Sequence, residues 1–197
     1  SEQSGYHHGE ASLNGAIINM AQDFVGSNNL NLLTPNGQFG TRLQGGKDHA
    51  SERYIFTNLS KYTRNIFRSE DDAILRYLDD DGLIVEPIFY VPIIPMVLVN
   101  GALGIGTGFS TSIPCFDPKQ IIEYIKNSIK GLENNVILTP YYRFFKGNVE
   151  QVEDMKYATN GTILQKDNTI TITDLPIGQW NEPYILFLEI QSSIFRF

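Results

Sequence analysis

The sequence predicts an α+β fold, with a mostly helical first part and a strand-rich second part. Apolar residues recur at helical spacing near the start, and Thr169-Ile-Thr-Ile-Thr alternates with period two near the end. The chain has 197 residues, 42% hydrophobic and 19% charged. That is enough for one large or two small domains with a hydrophobic core, and it excludes wholesale disorder.

Leu13, Ile17, Met20, Ala21 and Phe24 follow Gly9–Glu10–Ala11–Ser12 and predict a first amphipathic helix that stops before Gly26–Ser27. Thr34–Pro35–Asn36–Gly37, Gly40 and Gly45–Gly46 make the stretch to Ser51 a loop. A second helix is expected from about Ser51, with Ile55, Leu59, Tyr62, Thr63 and Ile66 along one face. The run EDDAILRYLDDD reads as a solvated acidic helix and its exit. In VPIIPMVLVNGALGIGTG, Pro92 and Pro95 exclude a central strand and leave an edge or irregular strand running into glycine turns. A helix follows over Lys119–Lys130, then strands at Gly147-Asn-Val-Glu, Gly161-Thr-Ile-Leu and Thr169-Ile-Thr-Ile-Thr, with a hairpin around Lys166–Asp167–Asn168.

Formal net charge is −7. The acidity is concentrated: residues 69–92 carry 1 basic and 7 acidic side chains, whereas residues 1–68 carry 6 and 5. The first third is therefore not hostile to phosphate. The run Val91–Val99 is too short and too proline-broken to span a bilayer. The opening SEQSGYHHGE lacks the basic-then-apolar pattern of a targeting peptide. One cysteine, Cys115, excludes an internal disulfide framework and a cysteine-based zinc cage, and fits a reducing compartment.

Four segments could carry chemistry. In Arg53–Tyr54, a phenol of ordinary pKa ~10 becomes a useful nucleophile when a neighbouring cation stabilises its anion and the group it attacks. Gly45–Gly46–Lys47 would let backbone approach a phosphate and add a second cation. Gln38 and Arg42, in Gly37–Gln38–Phe39–Gly40–Thr41–Arg42, could reach a backbone phosphate, or belong to an ordinary surface loop. Tyr6–His7–His8 suits phosphate or groove contact, or a plain helix start, better than metal, because no carboxylate or thiol sits at ligand spacing. Gly104–Ile105–Gly106–Thr107–Gly108 lacks both Rossmann spacing and a Walker lysine. Its isoleucine suits either a buried turn or an apolar wedge between base steps.

Taken together, the runs YHHGEASLNGAIINMAQDFVGSNNLNLLTPNGQFGTRLQGGKDHASERYIFTNLS and EPIFYVPIIPMVLVNGALGIGTGFSTSIP resemble eukaryotic-type type IIA DNA topoisomerases. The first resembles the winged-helix segment of that family's DNA gate and the second the start of its tower domain. The resemblance implies a partial winged-helix domain over 1–90, the first part of an α/β tower with antiparallel strands over 91–180, and a diverged or aberrant tail over 181–197. It implies that Tyr54 attacks a DNA phosphorus to form a 5′-phosphotyrosyl bond and that Arg53 stabilises the transition state. Ile105 would be the intercalating wedge, and Tyr6, His7, His8, Gln38, Arg42 and Lys47 would line the DNA.

The implied partners are double-stranded DNA and a second copy of the full-length protein, in the nucleus and without membrane attachment. ATP and Mg²⁺ would serve the full-length protein through a Bergerat-type ATPase and an acidic toprim cluster, neither of which this sequence contains. The isolated chain is therefore expected to be inactive, and a non-catalytic DNA-binding fragment is the alternative. Three features depart from the family pattern. Leu103 stands where Glu is usual, Phe109 stands where Trp is usual, and the tail NEPYILFLEIQSSIFRF replaces a Tyr-Lys-Glu run. The tail reads as a diverged strand or an aberrant end.

Overall fold

The computed structural model describes residues 5–194, so the first four and last three residues lie outside the described residues. Among the described residues the fold is α+β, built from helices, long loops and four antiparallel two-stranded hairpins.

The first helix, α1, spans Glu10–Ala21 and buries Ile18 and Ala21 against Phe39, with Leu33 and Ile55 alongside. Phe24 lies beyond its end, because Gln22 turns extended. The Gln22 amide then donates to the carbonyls of Phe39 (2.9 Å) and Gly46 (3.2 Å), drawing the glycine-rich loop onto the helix. Gly46 sits at φ 84° with the Gln22 amide where a Cβ would be, so glycine is required there on both counts.

The helix expected from Ser51 does not form. One 3₁₀ turn, Glu52–Tyr54, is followed by extended chain and then a short helix, α2, at Thr63–Ile66. Phe56 exchanges both backbone hydrogen bonds with Asn36 at 3.0 Å, Thr34 N–H bonds Asn58, and Ser60 N–H bonds Leu32. The loop thus offers the backbone a pairing partner. Ile55, Phe56 and Thr57 are residue types that favour extended chain, so pairing overrides the helical spacing.

The acidic run is likewise not a surface α-helix. It forms a 3₁₀ segment, Ser69–Ile74, and a hairpin of β1 (Tyr77–Asp80) and β2 (Leu83–Pro87). The two turn residues are Asp81 (φ 52°) and Gly82 (φ 86°), and Asp-Gly is among the strongest signals for a two-residue hairpin turn. That dipeptide outweighs the helical reading of its surroundings.

Residues 91–95 form no strand. Pro95 instead leads into a short helix, α3, at Met96–Val99, since proline suits the residue just before a helix. Val99 is fully buried with Ile94 and Ile121 in a second core cluster. Strands β3 (Ala102–Gly106) and β4 (Phe109–Ile113) project as a hairpin closed by Thr107–Gly108. The helix expected at Lys119–Lys130 is α4, Pro118–Ile129, capped by the Asp117 carboxylate accepting from Lys119 N–H at 2.9 Å.

Four strands follow: β5 (Asn148–Glu153), β6 (Lys156–Asn160), β7 (Thr162–Lys166) and β8 (Thr169–Asp174). They pair as β5–β6 and β7–β8, the latter turning at Asp167–Asn168 as expected. The tail is helical rather than a strand: α5 runs Asn181–Ile194, with Pro183 tolerated in its first turn. Its first backbone N–H groups bond the carbonyls of Arg42 (3.3 Å) and Leu43 (3.0 Å), which seats its start on the glycine-rich loop.

Buried amides hold the parts together. Asn29, 4% exposed, donates to the carbonyls of Val99, Phe116 and Tyr141 and accepts from Arg143 N–H at 2.8 Å. Asn100 pairs with both backbone groups of Leu30 at 2.9 Å.

Candidate functional site

Tyr54 closes the 3₁₀ turn, its N–H bonded to the Ser51 carbonyl at 2.9 Å, and its side chain is 68% exposed. Among the described residues the phenolic oxygen has no hydrogen-bond partner. The Arg53 guanidinium lies 5.2 Å from the centre of the Tyr54 ring, a cation–π arrangement that keeps a positive charge beside the phenol.

The loop bearing Gln38 lies directly against this turn, with Ala50 N–H donating to the Gln38 carbonyl at 2.9 Å and the Asn36–Phe56 bridge just beyond. Gln38 itself is exposed. A cleft of about 140 Å³ lies where α1 meets this segment, lined by Asn14, Ile17, Phe39, Glu52 and Ile55 among others. Helix, loop and tyrosine turn are therefore one packed unit.

Lys47 is exposed in the following turn. Its neighbour Asp48 accepts from the Thr41 N–H and hydroxyl. Burial acts to raise the Asp48 carboxyl pKa, but the Thr41 hydrogen bonds outweigh it and hold the group below the usual carboxylate value. Tyr6, His7 and His8 sit just before α1, with the Tyr6 and His8 rings edge-to-face at 5.5 Å and both histidines exposed.

Arg42 is placed differently from the other cations. Its guanidinium bonds the Asp174 carboxylate and the Leu175 carbonyl, and its side chain is 18% exposed. Ile105 stands near the end of the β3–β4 hairpin, 92% exposed. The glycine run around it closes a β-turn rather than opening a helix, so it is not a phosphate cradle of the Walker type. Among the described residues no group of three or more His, Cys, Asp or Glu is placed to hold a metal.

Sequence reasoning missed Asp174, Asn29 and Gln22 as organisers of the site's support. Their partners lie 132, 114 and 24 residues away at the farthest, so no local pattern marks them.

A family model for the A-type subunit of DNA gyrase/topoisomerase IV matches residues 2–193. The chain belongs to this DNA gyrase/topoisomerase IV family. It is 55% identical over 184 residues to DNA topoisomerase 2 top-2 of Caenorhabditis elegans, covering 93% of this chain and 12% of that protein. It is 53% identical over 191 residues to DNA topoisomerase 2 of Pisum sativum, covering 96% of this chain and 13% of that one. The chain thus spans about an eighth of the length of these relatives. A crystal structure of the Plasmodium falciparum topoisomerase II DNA-binding, cleavage and re-ligation domain superposes with TM-score 0.92 at 50% identity. That match covers 96% of this chain and 26% of the other. The family match runs through most of α5, the segment whose sequence departs most from the expected pattern. Among the described residues no helix is long and apolar enough to cross a membrane.

Proposed function

We propose that this chain is the tyrosine-bearing part of the DNA gate of an ATP-dependent type II DNA topoisomerase. Residues 1–90 act as the partial winged-helix unit and 91–180 as the first part of the tower, with 181–197 its diverged continuation. The observation that carries this reading is an exposed phenol without a partner among the described residues, held on a short turn with an arginine over its ring.

In the reaction, the Tyr54 oxygen attacks a DNA phosphorus in line with the 3′-oxygen. The new P–O(Tyr54) bond forms as the P–O3′ bond breaks; the phenolic proton departs and the 3′-oxygen gains one. One phosphodiester replaces another, so resealing is the same exchange reversed and needs no high-energy cofactor. Arg53 supplies positive charge where the crowded phosphorus gathers negative charge. Ile105 wedges into a base step and bends the duplex, at a cost of about 1–6 kcal/mol that added contacts offset.

Tyr6, His7, His8, Gln38 and Lys47 line the phosphate path. Arg42 fixes the loop that presents them, since its two terminal guanidinium nitrogens already bond Asp174 and Leu175. Mg²⁺ and ATP act on other segments of the full-length protein, which works as a nuclear homodimer on double-stranded DNA.

The test joins the chain to the toprim half of a relative, adds duplex DNA and Mg²⁺, and separates covalent protein–DNA adducts on a denaturing gel. The proposal predicts adducts that disappear in Tyr54→Phe. Folded protein that binds DNA but forms no adduct would favour the non-catalytic alternative.

A further inference from the structure

The β3–β4 hairpin carries more apolar surface than one wedge residue accounts for. Leu103 is 86% exposed and Phe109 84% exposed, beside Ile105 at 92%. The register sorts them: Leu103 pairs with Ser112 and Ile105 with Ser110, whereas Phe109 pairs with Gly106. Side chains alternate faces along a strand and directly paired residues share a face. One face of the hairpin therefore presents Leu103, Ile105, Ser110 and Ser112, and Phe109 lies on the other.

From Pro87 to Phe116 the chain carries no Asp, Glu, Lys or Arg. No carboxylate on the hairpin repels a polyanion, and no cation competes to hold it at the backbone. Two residues along a strand span about 6.8 Å, the rise of about two base-pair steps. Leucine is among the side chains that open base steps as apolar wedges, and serine hydroxyls can reach the base-edge acceptors of a groove.

We propose that Leu103 is a second prong of the wedge, inserted beside Ile105 against the same bent duplex, with Ser110 and Ser112 on the groove floor. This inference rests on the DNA-gate reading and adds a residue that sets how strongly the duplex is bent. The occupant is duplex DNA, because the face is continuous with Ile105 and free of charge.

The experiment uses the whole chain joined to the toprim half of a relative, and a duplex of about 30 bp carrying a fluorophore pair at its ends. Binding is read by anisotropy, bending by energy transfer, and folding of each variant by thermal melting. Leu103→Ala should weaken binding about tenfold and reduce the bend, as loss of a buried leucine would. Leu103→Glu should do so more strongly, Leu103→Ile should retain both, and Phe109→Ala should change neither.

Leu103→Ala and Leu103→Glu matching the parent while Ile105→Ala abolishes bending would overturn the second prong and leave the gate reading standing. Phe109→Ala weakening binding as much as Leu103→Ala would also overturn it, by showing that apolarity without a face suffices. If no variant, Ile105→Ala included, altered a bend, the gate reading itself would fail.

Discussion

The guanidinium of Arg42 is paired with the carboxylate of Asp174, 132 residues farther along the chain. The other Asp174 oxygen accepts from Lys146 N–H at 2.8 Å, and Arg42 also bonds the Leu175 carbonyl. One buried carboxylate thus ties the glycine-rich loop beside Tyr54 to the end of β8 and to the backbone of Lys146, just before β5. Replacing Asp174 with Ala leaves an arginine largely shielded from water without its counter-charge. The expected loss is about 3–5 kcal/mol in urea unfolding, with a smaller loss in Asp174→Asn, which keeps one acceptor.

Arg53 should act on the rate and hardly on the fold. It is exposed on a short turn, so Arg53→Ala should leave the melting temperature near that of the parent. Cleavage by the protein completed with a toprim half should fall about 10²–10³-fold, the usual cost of removing one preorganised donor to a developing charge. Arg53→Lys should recover part of this, because the charge returns without the planar fork. Quenched-flow cleavage assays on both variants check it.

Cys115 is buried, and burial pushes its thiol up from 9.0 to about 11. At pH 8 the folded chain should react far more slowly with iodoacetamide than the urea-unfolded chain. The sign of the pH effect follows from the same shift. Below pH 9 the thiol is protonated folded or unfolded and contributes no pH dependence. From pH 9 to about 11 the unfolded chain ionises first, so stability falls across that window. Cys115→Ala should flatten that part of the profile.

Phe144 is 69% exposed at φ 65°, a left-handed conformation that bulky side chains rarely adopt. Arg143 stacks 5.1 Å over its ring, worth about 0.5 kcal/mol at an exposed site. Relief of the backbone should exceed that loss, so Phe144→Asn is expected to stabilise by about 0.5–1 kcal/mol. A higher midpoint in urea with unchanged slope is the expected readout.

Much of the local structure was legible in the sequence. Helix α1 was marked by Leu13, Ile17 and Ala21, helix α4 by its apolar face, and the β7–β8 hairpin by the alternation at Thr169–Thr173. The errors have separate physical causes. Ile55, Leu59 and Ile66 have helical spacing, but backbone pairing of residues 56–60 to Leu32, Thr34 and Asn36 keeps Ile55 and Leu59 out of a helix and leaves only Thr63–Ile66 helical, and that partner lies in a loop with no strand pattern of its own. Strand β6 was missed because Lys156–Asn160 has no clean alternation and is recruited by β5. Asp81–Gly82 was a readable turn signal obscured by the charge around it. At the site, the exposed residues could be nominated from their chemistry, whereas the Asp174 and Asn29 supports act through partners far away in sequence.

The most direct measurement is the identity of the residue that carries DNA after cleavage. Adducts trapped with Mg²⁺ and the toprim half, digested with nuclease and protease, would be sequenced by mass spectrometry. A nucleotide attached through its 5′-phosphate to the peptide containing Tyr54 is the predicted result. The same mass on a peptide containing Tyr6 or Tyr62, with Tyr54 unmodified, would contradict the account.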